Sequence, residues 1–320
     1  MRFVVYGAGA IGGVIGGRLF EHGHDVVLIA RGAHHDAIAR DGLRLVDPDR
    51  DITLSVPVVD HPAQLSFSAD DVVVLAMKTQ DTASALAALP ADDLAIVCAQ
   101  NGVENERLAL RKFARVYGMC VMCPATHLAP GVVEQSSAPI AGLLDVGRAV
   151  GGVDPTAEAV AGALAASTFE SVPRADIMRW KYNKLLMNLA NAAEAVCGPD
   201  DPDTPELARR ARREGVAVLE AAGIAFASRD EDAERRGTLL TPRPINGQTR
   251  GGGSSWQSLQ RGTGHIEADY LNGEIVLLGR QFDVPTPVNV GLQHAANDAA
   301  RRGDKPGATS AAMLLAALDA

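Results

Sequence analysis

Three glycines near the start of the chain have a spacing that can do chemistry. Gly7-Ala8-Gly9-Ala10-Ile11-Gly12 reads G-x-G-x-x-G, directly after the apolar run Phe3 to Tyr6 and at the opening of a helical stretch that reaches about Glu21. The first glycine permits a tight turn, the second lets backbone approach a pyrophosphate, and the third lets helix and strand pack closely. The helix start at Ala10, Ile11 and Gly12 offers free amides and a positive dipole end to phosphates. A lone glycine motif is weak evidence. With a strand before it, a helix after it and a second strand at Asp25 to Ala30, the pattern predicts a dinucleotide site rather than a Gly-rich turn.

The end of that second strand bears on which dinucleotide. Asp or Glu there would accept from a ribose 2′-hydroxyl, but the chain has Leu28-Ile29-Ala30-Arg31-Gly32 and no acid. Arg31 can grip a 2′-phosphate with its planar fork; the alternative is an ordinary surface arginine. Lys78, just past the strand Asp71 to Ala76, is a second candidate for the same phosphate. NADPH is the expected cofactor.

A second constellation begins at Trp180. Lys184 and Asn188 are four residues apart and share a helix face, and Asn191 lies seven from the lysine, close to that face. Reduction of a ketone needs a proton donor at oxygen while hydride reaches carbon, and a lysine beside a cleft can serve. Spacing alone leaves a solvated helix face equally open.

These groups need two different frames. The 320 residues suffice for two domains of ordinary size, and 47% hydrophobic with 22% charged residues is a globular balance. Net charge of -9 argues against broad binding to nucleic acid or anionic lipid. No apolar stretch is long enough to span a bilayer and no secretory signal stands at the start, so a cytoplasmic location is expected. Short aliphatic runs at Phe3 to Tyr6, Asp25 to Ala30, Asp71 to Ala76 and Leu94 to Ala99 alternate with helices. This predicts an α/β fold: an N-terminal Rossmann-type, doubly wound parallel sheet over residues 1–172. Residues 173–320 read as an all-helical substrate domain, with helices at Trp180 to Cys197, Pro205 to Ala222, Ser255 to Gln260, Ile266 to Gln281 and Val288 to Arg301. Thr204 and Ser254 are the expected N-caps. The Gly-rich run Arg250 to Ser255 reads as a loop beside a site.

Cys120 and Cys123 have C-x-x-C spacing, but a zinc site would need a second pair or a matched His cluster. They read as thiols of a buried strand from Val116 onward, and no metal is expected. His22, His24, His34 and His35 read as solvated, His127 as a loop or helper residue, and the paired arginines of the second half as solvated faces.

Taken in order, the glycine motif with Leu28 to Arg31, the strand ending Ala76-Met77-Lys78, Gln100-Asn101-Gly102, Lys184 with Asn188, and Ser254-Ser255 with Ile266 to Gly273 resemble the ketopantoate reductase family (2-dehydropantoate 2-reductase) over nearly the whole chain. The resemblance implies NADPH-dependent reduction of a small 2-keto acid, ketopantoate to D-pantoate in pantothenate synthesis first among them. It implies Lys184 as general acid and Glu267 as the carboxylate that holds substrate and ribose. Ser255 would bind the substrate carboxylate and Asn188 its hydroxyl, with Asn191 as a partial substitute for a missing asparagine. Asn101 would lie near the nicotinamide ribose and the lysine, Arg31 and Lys78 on the 2′-phosphate, and Gly7, Gly9 and Gly12 on the pyrophosphate. A homodimer is compatible with such a chain. Ala192 and Gly252 stand where the family often has asparagine, which favours a relative acting on another 2-keto acid. A non-catalytic NADPH-binding regulator is the reading from a different class.

Overall fold

The computed structural model describes residues 1–90, 93–249, 251–262 and 264–319. The first stretch of the chain runs β1 (Arg2–Tyr6), α1 (Ala10–Glu21), β2 (Asp25–Ile29), α2 (Gly32–Asp41), β3 (Leu43–Val46), β4 (Asp51–Leu54), β5 (Val58–Val59) and β6 (Asp71–Leu75). It continues through α3 (Thr82–Ala88), β7 (Ala95–Cys98), α4 (Glu104–Leu110), β8 (Arg115–Met122), β9 (Ala125–Thr126) and β10 (Val132–Gln135). β11 (Ser137–Pro139), β12 (Gly142–Arg148), α5 (Pro155–Ala165) and β13 (Phe169–Glu170) complete it.

The main sheet has the order β13-β12-β8-β7-β6-β1-β2-β5. Its centre is parallel: β1 pairs with β2 on one side and β6 on the other, and β6 with β7 and β7 with β8 follow the same sense. β12 runs antiparallel to its neighbour β8, and β13 runs parallel to β12. Successive residues of β1 feed opposite cores. Phe3 and Val5 join a cluster with Leu28, Val74 and Val97, while Val4 and Tyr6 join one with Ile29, Val73 and Ile96. Burial on both faces is why these strands are near-continuous valine, isoleucine and leucine rather than alternating. A four-stranded sheet, β4-β3-β10-β9, lies beside α1.

The second half runs α6 (Ile177–Asn188), α7 (Ala190–Cys197), α8 (Thr204–Ala221), α9 (Arg229–Arg236), β14 (Leu240–Pro242), α10 (Ser254–Arg261), α11 (Asn272–Gln281), α12 (Pro287–Arg302) and α13 (Ala311–Asp319). The chain divides into two compact units. One comprises Met1–Gln100, Glu104–Lys181 and Ser228–Arg250; the other comprises Asn101–Val103, Tyr182–Ala227 and Gly251–Ala320. The second unit is built from helices, with no strand among its described residues. Within it α8 buries Leu207, Ala211, Gly215, Val218 and Leu219, one stripe at helical spacing. At Gly215 a side chain would fall 2.7 Å from Leu186 and 2.8 Å from Leu189, so glycine is what lets α8 cross so closely. Among the described residues no helix is long and apolar enough to cross a membrane.

Several local expectations are corrected. β14 is a strand in the second half; it pairs with β11 and belongs to the first unit. The helix expected from Trp180 to Cys197 is two, separated at Leu189. The stretch from Ile266 to Gln281 likewise divides into a 3-10 turn, Glu267–Tyr270, and α11, with Leu271 between them. Thr204 is the first helical residue of α8, capped by Asp203, and its hydroxyl donates instead to the Gly198 carbonyl at 2.9 Å. Gly253 rather than Ser254 caps α10. Of the Gly-rich run, Arg250 lies outside the described residues.

Candidate active site

In the first unit the glycine loop has the geometry its spacing demands. Gly7 has a φ of +98°, and a Cβ there would lie 2.7 Å from the Met77 amide nitrogen. Its own amide donates to the Ile29 carbonyl at 3.0 Å, which closes the turn against β2. At Gly12 a Cβ would sit 2.1 Å from the Gly7 carbonyl oxygen, so any other residue would push α1 off the sheet. At Gly9, the N-cap of α1, a Cβ would meet nothing within 4 Å. The middle glycine thus opens on clear space before the helix start, where Ala10, Ile11 and Gly12 begin the helix. An anionic group fits that cradle, because the first-turn amides have no partners within the helix.

Arg31 is exposed and is the N-cap of α2. Lys78 is half-buried just past β6, at the head of a 3-10 turn, Thr79–Asp81. Both cations follow strands at the same end of the parallel sheet as the glycine loop, the end where such sheets bind nucleotides.

A buried polar network joins the segment after β6 to the segment after β7 and to α4. Gln100 Nε2 donates to Thr82 Oγ1 at 2.7 Å, Thr82 Oγ1 donates to Asn105 Oδ1 at 2.8 Å, and Asn105 Nδ2 donates to Thr79 Oγ1 at 3.2 Å. Beside it Lys181 Nζ lies 2.5 Å from Glu106 Oε1 and donates to the Gln100 carbonyl at 2.9 Å. Burial pushes the Glu106 carboxyl above its ordinary pKa, and the Lys181 charge offsets this only in part. Burial also raises the Cys98 thiol, with Glu106 adding to the effect.

In the second unit Lys184 is half-buried on α6, while Asn188, one turn on, is 5% exposed. Asn188 Nδ2 is a buried donor with no hydrogen-bond partner among the described residues, an arrangement that costs free energy unless something accepts from it. Asn191 stands on α7, beyond the one-residue break at Leu189, while Lys184 and Asn188 share α6. Asn272 holds the break: its Nδ2 donates to the Leu189 carbonyl at 3.1 Å and to Asn289 Oδ1 at 3.0 Å.

Ser255 is buried in the first turn of α10. A Cβ at Gly253 would lie 3.4 Å from Asn191 Oδ1, so the approach to Ser255 runs against α7. Trp256 covers the other two glycines: a Cβ at Gly251 would be 2.7 Å from its ring, and one at Gly252 would be 2.5 Å from its Cγ. Glu267 is 4% exposed in its 3-10 turn. Arg261 is near enough for the Glu267 charge to raise its pKa, against a larger lowering by burial. Gly102 has a φ of +79°, and a Cβ there would lie 3.1 Å from the Tyr270 carbonyl oxygen. Asn101–Val103 therefore lies against the turn that carries Glu267. Asp269 is structural, accepting from Gln293 at 2.8 Å and from Asn297 at 2.6 Å.

Sequence reasoning missed Lys181, Glu106, the Thr79-Thr82-Gln100-Asn105 network and Arg261. Nothing in the local sequence, Ile177-Met178-Arg179-Trp180-Lys181, sets the first of these apart. His34 was expected in solvent, yet both its ring nitrogens are engaged inside the fold. None of the four cysteines forms a disulfide. Among the described residues no group of three His, Cys, Asp or Glu side chains is placed to hold a metal ion.

Comparison with known proteins covers both halves. The family described as Ketopantoate reductase PanE/ApbA matches residues 3–148, and its C-terminal counterpart matches residues 176–299. A 2-dehydropantoate 2-reductase of Halobacterium salinarum is 30% identical over 302 residues, covering 90% of this chain and 95% of that protein. The Pyrococcus abyssi protein of the same name is 27% identical over 300 residues, covering 91% and 95%. A PanE/ApbA family ketopantoate reductase structure from Ralstonia eutropha JMP134 matches with a TM-score of 0.78 at 27% identity, over 95% of this chain and 99% of that one. D-mandelate dehydrogenase in complex with NADH shares the fold, with a TM-score of 0.78 at 20% identity over 95% of this chain and all of that one.

Proposed function

The chain belongs to the ketopantoate reductase family and is an oxidoreductase; from that premise we propose that it reduces a small 2-keto acid with NADPH. Ketopantoate to D-pantoate, the reaction its relatives are named for, is the first case to test. Gly7, Gly9 and Gly12, with the amides of Ala10 and Ile11, would hold the pyrophosphate. Arg31 and Lys78 would take the 2′-phosphate, and Asn101 the nicotinamide ribose. NADPH, when bound, supplies the hydride that reaches the carbonyl carbon.

The protein's own residues do the rest. Lys184 Nζ polarises the carbonyl and delivers the proton to its oxygen. Ser255 binds the substrate carboxylate, and Glu267 holds the substrate and the ribose hydroxyls. The observation that carries the reading is Asn188: a buried amide nitrogen without a partner among the described residues, one helical turn from Lys184, is a donor waiting for a substrate oxygen. Residues 1–172 would serve as the NADPH domain and 173–320 as the substrate domain of a cytoplasmic enzyme, with homodimerisation through the helical part.

Ala192 is buried and Trp256 fills the space beside Gly252, which favours a second reading in which a different 2-keto acid is preferred. The test follows the loss of reduced nicotinamide absorbance with ketopantoate and with a panel of 2-keto acids. Preference for ketopantoate supports the first reading and preference for another acid the second. Absence of oxidation with every acid would leave only a dinucleotide-binding regulator.

A further inference from the structure

His34 stands between two backbone segments of the first unit. Its Nε2 lies 2.7 Å from the carbonyl oxygen of Ala8, inside the Gly7 to Gly12 loop. Its Nδ1 lies 2.9 Å from the Gly131 amide nitrogen, which donates to it. An amide can only donate, so Nδ1 must be bare and the proton must sit on Nε2, which then donates to Ala8. One neutral tautomer satisfies both bonds, and no other protonation state does.

The segment on the far side is itself well fixed. The Val132 amide donates to the Ala129 carbonyl at 3.2 Å, closing a turn, and the Gly131 carbonyl accepts from the Arg44 amide at 2.9 Å. A Cβ at Gly131 would lie 3.0 Å from that of Ala37, so the turn is pressed against α2. His34 thus ties the peptide between the first two glycines of the loop to a rigid neighbour.

We propose that His34 is a positioning residue for dinucleotide binding: its neutral ring holds the glycine loop in the form that receives the pyrophosphate, and protonation releases it. The proposal rests on reading Gly7 to Gly12 as the NADPH loop. The charge environment is simple. Neither the Gly7 to Gly12 loop nor the Ala129 to Val132 turn contains a titratable side chain. The ring that faces His34 is that of His127, with centroids 4.2 Å apart, and His127 Nδ1 lies 2.9 Å from the Val132 carbonyl. From its own helix come Arg31, His35 and Asp36, the last two paired at 3.0 Å. Burial lowers the His34 pKa and the Ala8 carbonyl only partly restores it, which favours the neutral ring that the two hydrogen bonds require. A proton on Nδ1 would face the Gly131 N–H, donor against donor.

The experiment titrates NADP+ into the full-length wild-type protein and into His34→Gln by calorimetry, from about pH 8 to about pH 5. The 2′-phosphate itself titrates near pH 6, so the readout is the ratio of the two Kd values at each pH. Wild type is expected to bind several-fold more tightly at the upper end. That advantage should shrink as pH falls, by up to about tenfold per pH unit, the limit for a single linked proton. Parallel profiles for the two proteins overturn the proposal. Wild-type protein that binds no dinucleotide at any pH overturns the loop reading and the proposal with it. Histidine ring 15N–1H correlations of the wild type give a check that needs no variant: His34 should carry its proton on Nε2 at pH 7. A proton on Nδ1 there would sink the proposal even if His34→Gln failed to fold.

Discussion

Lys181 and Glu106 form an ion pair at 2.5 Å with each side chain 2% exposed. The pair joins the second turn of α6 to α4, and Lys181 also donates to the Gln100 carbonyl, next to Asn101. Such a pair adds little net stability, because desolvation cancels most of the attraction, but removing one partner strands a buried charge. Lys181→Met should therefore destabilise the protein by about 3–5 kcal/mol. Glu106→Gln with Lys181→Met should lie much closer to wild type. Denaturant unfolding of the three proteins checks this, and a single variant within about 1 kcal/mol of wild type contradicts it.

The same pair predicts a pH dependence. Burial raises the Glu106 pKa in the fold, and the Lys181 charge is the main force lowering it. A carboxyl with a raised folded pKa binds a proton more readily folded than unfolded, so its ionisation costs stability as pH rises and that cost is relieved as pH falls. Without the lysine charge the folded pKa moves further up. Lys181→Met should accordingly regain stability between about pH 8 and pH 5 relative to wild type. A stability difference that stays constant with pH would show that Glu106 remains ionised without its partner.

Lys184 lies one turn beyond Lys181 on the same helix but is assigned the chemistry. Lys184→Ala should lower kcat/KM for the best 2-keto acid by about 10²–10⁴-fold. The Kd for NADPH should stay nearly the same, since the cofactor contacts assigned above lie on other residues. Stopped-flow reduction and fluorescence titration separate the two effects. Full reductase activity in the variant would remove the lysine from the mechanism.

The fold and the site differ in how far sequence reveals them. Phe3 to Tyr6 and the valines of Asp71 to Ala76 read as buried parallel strands because both faces of each must be apolar, a purely local requirement. The glycine loop is equally local: Gly7 and Gly12 are needed by their own turn. The break at Leu189 was invisible because Asn272, distant in sequence, supplies its hydrogen bond. Lys181 and Glu106 are likewise ordinary residues until the fold buries them together. His34 looked solvated because its two partners are backbone groups, which leave no trace in residue type. Lys184, Asn188 and Ser255 were singled out through resemblance, since spacing alone leaves a solvated helix face equally open for the first two.

Gly252 and Trp256 are coupled. A Cβ at position 252 would stand 2.5 Å from Trp256 Cγ and 2.8 Å from Trp256 Cβ, and the latter is fixed by the backbone and cannot swing aside. Gly252→Asn should therefore cost about 1–3 kcal/mol by overpacking. Adding Trp256→Ala should recover most of that loss and lower the KM for ketopantoate relative to Trp256→Ala alone. Thermal melts and steady-state kinetics of the three variants decide the matter. A stable, fully active Gly252→Asn single variant would mean that the loop yields freely and that the tryptophan sets no limit on this position.

Arg31 tests the cofactor preference without touching the reaction. It is the exposed N-cap residue of α2, just past the end of β2. Hydrogen bonds from a guanidinium to a phosphate are worth about 1.5–3 kcal/mol, so Arg31→Ala should weaken NADPH binding by about 10–100-fold. NADH lacks the 2′-phosphate, and its binding should barely change. Lys78→Ala should move the ratio in the same direction if both cations share that phosphate. Kd values for the two cofactors, measured on wild type and both variants at one ionic strength, give the answer. Equal losses for NADPH and NADH would mean that Arg31 shapes the start of α2 rather than reading the phosphate.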